Sequence, residues 1–444
     1  MPILASVGAM ALDIRARPPY VVAPNTYSIG PGGSVTFNIT TLTFGTGTLY
    51  WTIAGTITAG EFSNSANSGS VSITSNSGSV TKTLSGSVGE KTIIFQLRTG
   101  STSGPIVATA GQITVGVYAI EIILAGGGAG GGYAQANTSY PRGTSGNGGA
   151  SGGGGGGGGG SVYYTTVYLG KNTTYALTVA AGGSVSLPGG GGPTSIYHGY
   201  NGNDSTLSGS GFTTITVLGG GGGGSGNVFY GTSYGSASDI MPQSNGTGGG
   251  GGNSASPDNL TGGSSIATIG FGNSGGNGIS AIAGGGGGGA GSSGQNATSS
   301  SFGAIIQVQG GGGGNGITDS GLGSTDMIST TSAGALGPGG GGAPQGYGST
   351  GAGDGGYGPP NPYTGSNTSG TAGTVNRGGG GGGGQGGPPA SGGGAGSGSS
   401  GVIIIKIPTT TYNNMSILTG TNTVYTSGSN KYVKFTTSGT ISFT

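Results

Sequence analysis

The chain contains no cysteine and a single histidine in 444 residues. Without thiols, disulfide frameworks, thiolate metal sites and cysteine nucleophiles are excluded. Charge is nearly as scarce: 11 Lys and Arg stand against 10 Asp and Glu, 5% of the chain, for a net charge of +1. Ordinary soluble domains carry about 25% charged residues. The lack of a basic run argues against nucleic-acid binding, and the low net charge does not fit the self-repelling composition of most disordered chains. No apolar run approaches the ~18 residues of a membrane span, so membrane insertion is not expected. In "MPILASVGAMALDIRARPPY" the charges Asp13, Arg15 and Arg17 follow the apolar residues instead of preceding them. That order is the reverse of a secretory signal, so synthesis in a cytoplasm is the expectation.

Glycine fills the space these residues leave, with 119 positions against a usual share of about 7%. With 19 prolines and no sustained Gly-X-Y period, collagen is excluded. The glycines come in blocks, as in "GASGGGGGGGGGSVYYTTVYL" (149–169), where nine in a row precede a strand-like run. A single block of this kind reads as a flexible linker. The blocks, however, begin at Gly126, Gly152, Gly189, Gly219, Gly248, Gly284, Gly310, Gly339 and Gly378, roughly 26 to 39 residues apart. Several follow short apolar runs such as "YALTVAAGG", "TTITVLGGGGGG" and "AIIQVQGGGGG", which makes a loose internal repeat.

Four regions follow from this texture. Residues 1–20 form an arm whose Arg17-Pro18-Pro19 favours an extended exit. Residues 21–116 hold "SVTFNITTL", "GTLYWTIAG", "GSVSITS", "VTKTLSGSV", "KTIIFQLRTG" and "GQITVGV", short strands at the spacing of a small β-sandwich. Trp51, the only tryptophan, is the expected core anchor there. Residues 117–407 are the Gly-rich region. It opens on "VYAIEIILAGGGAGGG" and closes on "SSGVIIIKIP", two β-branched runs that predict paired central strands. Residues 408–444 predict a small C-terminal β-meander, with Val433 and Phe435 alternating with Tyr432, Lys434 and Thr436. The fold class expected is mainly β with almost no α-helix.

An extended threefold glycine helix has no internal hydrogen bonds. Gly loses about 0.5 to 1 kcal/mol each relative to Ala on ordering in regular structure. Packed side by side, such helices approach closely and exchange N–H···O=C bonds worth about 0.5 to 1.5 kcal/mol net each. The two terms are of similar size, so order in the blocks would be collective.

Two resemblances accompany this reading. "GGSVTFNITTLTFGTGTLYWTIAGTITAGEF", with "KTIIFQLRTGSTSGPIVATAGQITV", resembles the immunoglobulin-like and Calx-beta-like domains of phage structural proteins. Calcium-binding relatives cluster acidic residues, whereas this region offers Glu61 and Glu90. The stretch from "IEIILAGGGAGGG" to "GSGSSGVIIIKIP" resembles the glycine-rich domains of phage tail-fibre and adhesin proteins. The resemblance implies packed polyglycine II helices and host binding by variable loops at one end.

Catalytic chemistry is not apparent. G-x-G-x-x-G recurs by composition alone, outside any βαβ context, and "LGKNTT" has Asn172 where a P-loop needs Ser or Thr. The carboxylates are scattered, and no catalytic residue, metal ligand or cofactor site is predicted. Candidate receptor-binding residues are Tyr133, Tyr140, Tyr197, His198, Tyr200, Tyr230, Tyr234, Tyr347, Tyr357 and Tyr363. They lie among Asn, Ser and Gly in the connections between blocks, a mixture like that of antibody paratopes. The expected protein is a non-enzymatic virion component, a tail-fibre or adhesin that binds a host surface glycan or protein without covalent chemistry. Its arm and sandwich would engage other virion proteins, and a homo-oligomer is compatible with it. The alternative expectation is a neck, baseplate or capsid decoration fibre with a purely structural role.

Overall fold

The computed structural model describes residues 19–85, 90–133, 153–185, 198–210, 212–225, 246–252, 261–279, 283–302, 305–324, 326–330, 334–343, 370–384 and 394–444. The chain divides into two compact units, Met1–Ala119 with Tyr168–Lys171, and Ile120–Val167 with Asn172–Thr444. Among the described residues the protein is mainly β, with several sheets. Helix is limited to three four-residue α-turns and one three-residue 3-10 turn.

In the first unit, β1 (Tyr20–Pro24), β3 (Ser34–Thr41) and β6 (Ser77–Thr83) make an antiparallel three-stranded sheet, after β2 (Ser28–Ile29) is passed in the chain. A second sheet runs β2-β9-β7-β4-β5, from β4 (Gly47–Ala54), β5 (Ser68–Ile73), β7 (Lys91–Arg98) and β9 (Ile113–Val115); β8 (Ile106–Thr109) also pairs with β7. Alternation dictates the packing: in β3 Val35, Phe37 and Ile39 turn inward, and in β7 Ile93, Phe95 and Leu97 do the same. The two sheets meet in one core, where Phe37 stacks on Phe95 at 4.3 Å between ring centroids. Trp51 is buried as expected, its ring parallel to Phe95. It lies across from Gly69 in the strand register, where a Cβ would stand 2.7 Å from the indole.

One inward position in β6 carries charge. Lys82 is 1% exposed, and its Nζ donates to Asn64 Oδ1 and Ala66 O while lying over the rings of Phe62 and Trp51. Burial pushes its pKa down, because removing an ammonium from water disfavours the charged form.

Two five-stranded sheets lie largely in the second unit, which takes β10 from Ile120 onward and β11 up to Val167. One has the order β11-β10-β17-β20-β19, from β10 (Val117–Ala125), β11 (Val162–Gly170), β17 (Val402–Pro408), β19 (Asn422–Ser427) and β20 (Asn430–Phe435). The other is β14-β13-β12-β21-β18, from β12 (Thr174–Thr178), β13 (Ser205–Gly209), β14 (Phe212–Val217), β18 (Met415–Thr419) and β21 (Gly439–Phe443). β15 (Thr298–Phe302) and β16 (Ile305–Gln309) form a separate hairpin. The two β-branched runs that bracket the Gly-rich region do pair, with Ile123 opposite Ile404. The C-terminal strands differ from the meander predicted for 408–444. β20 pairs with β17 and β21 with β12, so they complete two sheets instead of forming their own. Backbone pairing accounts for the difference, since the N–H and C=O groups along one edge of β17 and of β12 are satisfied by β20 and β21.

One face of the first of these sheets buries Ile123, Ala125, Val162, Val402, Ile404 and Tyr432. Against them lie Leu322 of α1 (Asp319–Leu322), and Met327 and Ile328 of α2 (Met327–Thr330). Polar residues cross the same sheet: Tyr164 Oη donates to Glu121 Oε2 at 2.5 Å, and Lys406 Nζ pairs with Glu121 Oε1 at 3.1 Å. Burial, then the hydrogen bond to Glu121, pushes the Tyr164 pKa up to about 12.

The glycine blocks leave the strands directly, as at Ala125-Gly126, Ser161-Val162 and Gly401-Val402. Residues 154–160 show how they pack. Gly154, Gly157 and Gly160 donate to Gly384, Gly381 and Gly378 of one segment. Gly155 and Gly158 donate to Gly224 and Gly221 of a second, and Gly156 and Gly159 to Gly285 and Gly288 of a third. Their carbonyls accept from three others: Gly154 and Gly157 from Ala343 and Gly340, Gly155 and Gly158 from Gly132 and Ala129, and Gly156 from Gly250. The bond direction therefore rotates with a period of three residues, and this segment has six bonded neighbours.

Such enclosure leaves no room for side chains. A Cβ on Gly155, Gly156 or Gly157 would lie 2.1, 1.9 or 2.3 Å from the backbone oxygen of Gly250, Gly340 or Ala129.

Candidate binding groove on the glycine bundle

Segments at the edge of the bundle meet fewer neighbours and carry glycine only where they face it. In 198–203, Gly199 and Gly202 face inward, where a Cβ would lie 1.8 Å from Gly130 O and 2.0 Å from Gly127 O. The positions between are free to carry His198, Tyr200, Asn201 and Asn203. This segment lies beside 181–184, with Tyr200 N donating to Ser184 O and Asn203 N to Ala181 O, both at 3.0 Å. Together they line a groove of 470 Å³ with Gly182, Ser184, His198, Tyr200, Asn201 and Asn203 along its walls.

Tyr200 is 43% exposed. Its ring meets that of His198 edge to face, with centroids 6.0 Å apart at 67°, a favourable aromatic geometry. His198 Nδ1 lies 2.7 Å from Gly199 O, so this nitrogen is held by a backbone carbonyl and not by a carboxylate. Two neighbouring side chains act as struts: Asn201 Oδ1 accepts from Gly222 N, and Asp204 Oδ1 from Gly219 N. The groove thus presents a fixed aromatic pair with polar edges on a glycine wall. It is suited to contact and hydrogen bonding.

The bundle has two distinct ends. At one, Gly126, Ser161 and Gly401 run into strands. At the other, Gly132, Gly154, Gly224, Gly250, Ala343 and Gly384 share one hydrogen-bonded level. Tyr133 stands half-buried just past this level. Tyr140, Tyr197, Tyr230, Tyr234, Tyr347, Tyr357 and Tyr363 lie outside the described residues. The described residues that flank 134–152, 186–197, 344–369 and 385–393 are all at this far end. Ser225 also lies at this far end, and Gly246 lies near the strands.

Of the ten candidate residues, the structure brings His198 and Tyr200 together and sets Tyr133 at the same end of the bundle. Ser184 and Asn203 were not among the sequence candidates. The signal that would have found Asn203 is the short Gly-x-x-Gly period of 199–202, which marks an edge segment whose other positions carry side chains; Ser184 joins it only through the tertiary contact with Tyr200. Among the described residues there is no group of three or more His, Asp or Glu able to hold a metal ion. No described helix is long and apolar enough to cross a membrane. Comparison with family models, with curated proteins and with solved structures returned no match.

Proposed function

We propose that this chain is a virion fibre or adhesin component in which a bundle of polyglycine II helices holds variable connections at one end for non-covalent contact with a host surface glycan or protein. In this reading the first unit is an Ig-like stalk module that engages other virion proteins, and the two five-stranded sheets fasten the strand end of the bundle. The threefold rotation of hydrogen bonds along 154–160 supports the helix type, since three residues per turn is the polyproline II repeat.

One observation carries the functional reading: described segments flanking four connections converge on the end of the bundle opposite its sheets, and of these connections 134–152, 186–197 and 344–369 carry Tyr and Ser, with Asn in the first and last. In this reading the glycine packing supplies the scaffold and the connections supply the recognition surface. Tyr supplies rigid contact area in such surfaces, and Asn and Ser supply adaptable hydrogen bonds.

Replacing residues 344–369 with a Gly-Ser linker of equal length should abolish adsorption to host cells while leaving amide protection in 154–160 intact. Undiminished adsorption, together with recovery of the protein at an internal or capsid position, would overturn the adhesin reading in favour of a structural fibre.

A further inference from the structure

A second groove, of 510 Å³, lies on another edge of the bundle, lined by Phe271, Asn273, Gly291, Asn315, Thr318 and Ser320 among others. It is near the strand end, because Phe271 makes a two-bond bridge with Val162, the first residue of β11. This bridge fixes the Phe271 backbone, yet the residue is 42% exposed. The segment has the same edge pattern as 198–203: Gly272, Gly275 and Gly278 recur every third residue, and a Cβ on each would lie 2.0 to 2.3 Å from the oxygens of Gly246, Gly249 and Gly252. Of the residues between, Gly276 is buried against Gln295, whereas Asn273 lines the groove.

The walls are held firmly. Asn273 Nδ2 donates to Gly289 O and Ala290 O at 2.9 and 3.1 Å. Across the groove, Gly291 N donates to Asn315 O and Asn315 N to Ser292 Oγ, both at 2.8 Å. Thr318 Oγ1 and Ser320 Oγ lie 3.1 Å apart at the exposed rim. Among the described residues no charged side chain lines the groove. Asp319, between the two rim hydroxyls in sequence, is turned away to accept from Ile328 N and Ser324 Oγ.

From this arrangement we infer that the groove is a binding site for a neutral saccharide unit. A pyranose has a face of C–H groups that stacks on an aromatic ring, whose face is electron-rich. Its equatorial rim of hydroxyls both donates and accepts, matching amide and hydroxyl side chains directly or through water. A peptide would require an apolar pocket, a charge or an open strand edge, and an anionic sugar would require a cation. A single exposed ring among uncharged polar groups fits the neutral sugar. The site is independent of the far-end connections.

The test is a titration of the full chain with cellotetraose, maltotetraose, mannotetraose and chitotetraose, followed through backbone amide shifts. At least one of these should move the amides of 270–273 and 315–318 with a Kd of about 1 mM or tighter. Phe271→Ala should weaken that binding about tenfold or more, while Phe271→Tyr retains it. Ser320→Trp, which fills the rim without altering the bridge, should also weaken it, and Tyr200→Ala should leave it unchanged. No shift at these amides from any of the four sugars at about 10 mM, or undiminished binding by both Phe271→Ala and Ser320→Trp, overturns the inference. Shifts confined to 199–203 would also overturn it, and would leave the far-end reading standing.

Discussion

In the first unit, side chains fill the interior; in the glycine bundle, the backbone does. Between its two sheets, Phe37, Phe95, Trp51, Ile93 and Leu97 interlock, and glycine is required only at local points such as Gly69 under the indole. In the bundle, peptide groups are the packing units, each segment's bonds rotate among neighbours, and a single methyl has nowhere to go. The difference teaches that burial alone does not define a core. Hydrophobic burial stabilises the first unit at about 25 cal/mol per Å². The bundle gains little of that and depends on satisfying every N–H and C=O among its segments.

The sharpest break of this comparison is a methyl group placed in each region. Gly156→Ala sets a Cβ 1.9 Å from Gly340 O and also against Gly341, with only rigid backbone to yield. It should cost about 4 kcal/mol or more in urea unfolding of the second unit. A loss under about 1 kcal/mol would mean that the segment is not enclosed.

The first unit's response to substitution should follow volume. Lys82→Ala leaves a cavity among Phe62, Trp51 and the 64–66 loop and should cost about 2 to 3 kcal/mol. Lys82→Met refills most of that space and should lie within about 1 kcal/mol of the parent chain, since replacing a buried charge with an apolar side chain is often neutral. Equal losses for both variants would instead assign the stability to the ammonium contacts.

Alkaline pH should move the two units in opposite directions. The Lys82 pKa is lowered from 10.5 by burial, so between its folded value and 10.5 the unfolded chain binds more protons, and the stability contribution rises with pH. Tyr164 is raised from 10.0 to about 12. Its contribution is therefore complete below pH 10 and lost as pH rises through about 12. Unfolding midpoints taken from pH 9 to 12 should show the first slope vanish in Lys82→Met and the second in Tyr164→Phe. Slopes unchanged in these variants would contradict the assignment.

The smallest effect belongs to Gly60→Ala in the first unit, where an added Cβ meets nothing within 4 Å. It should change stability by less than about 0.5 kcal/mol, which equilibrium unfolding resolves against Gly156→Ala.

Much of this contrast could be read from the chain before its coordinates. Val35-Phe37-Ile39 alternates as a half-buried strand must, and the runs ending at Ala125 and beginning at Val402 pair as their β-branched composition implied. Other features depend on tertiary context. Lys82 occupies an inward position because Asn64 and Ala66 are folded over it, a contact that alternation cannot encode. β20 and β21 separate into different sheets: β20 joins the nearby β17, whereas β21 joins β12, which lies far back in the sequence. The edge segments of the bundle carry a shorter Gly-x-x-Gly period, at 199–202 and 272–278, which the long glycine runs obscure in the sequence. That period is where the grooves lie. His198 and Tyr200 were legible as loop residues, but their edge-to-face pairing beside Ser184 was not.

The most direct test of the account is amide hydrogen exchange at Gly154 to Gly160 in the full chain. Each of these N–H groups donates to a named carbonyl on a neighbouring segment, so exchange should be slow at all seven and should accelerate together in Gly156→Ala. Fast exchange in the parent chain, at the rate of a free glycine linker, would contradict the claim that backbone packing orders the bundle.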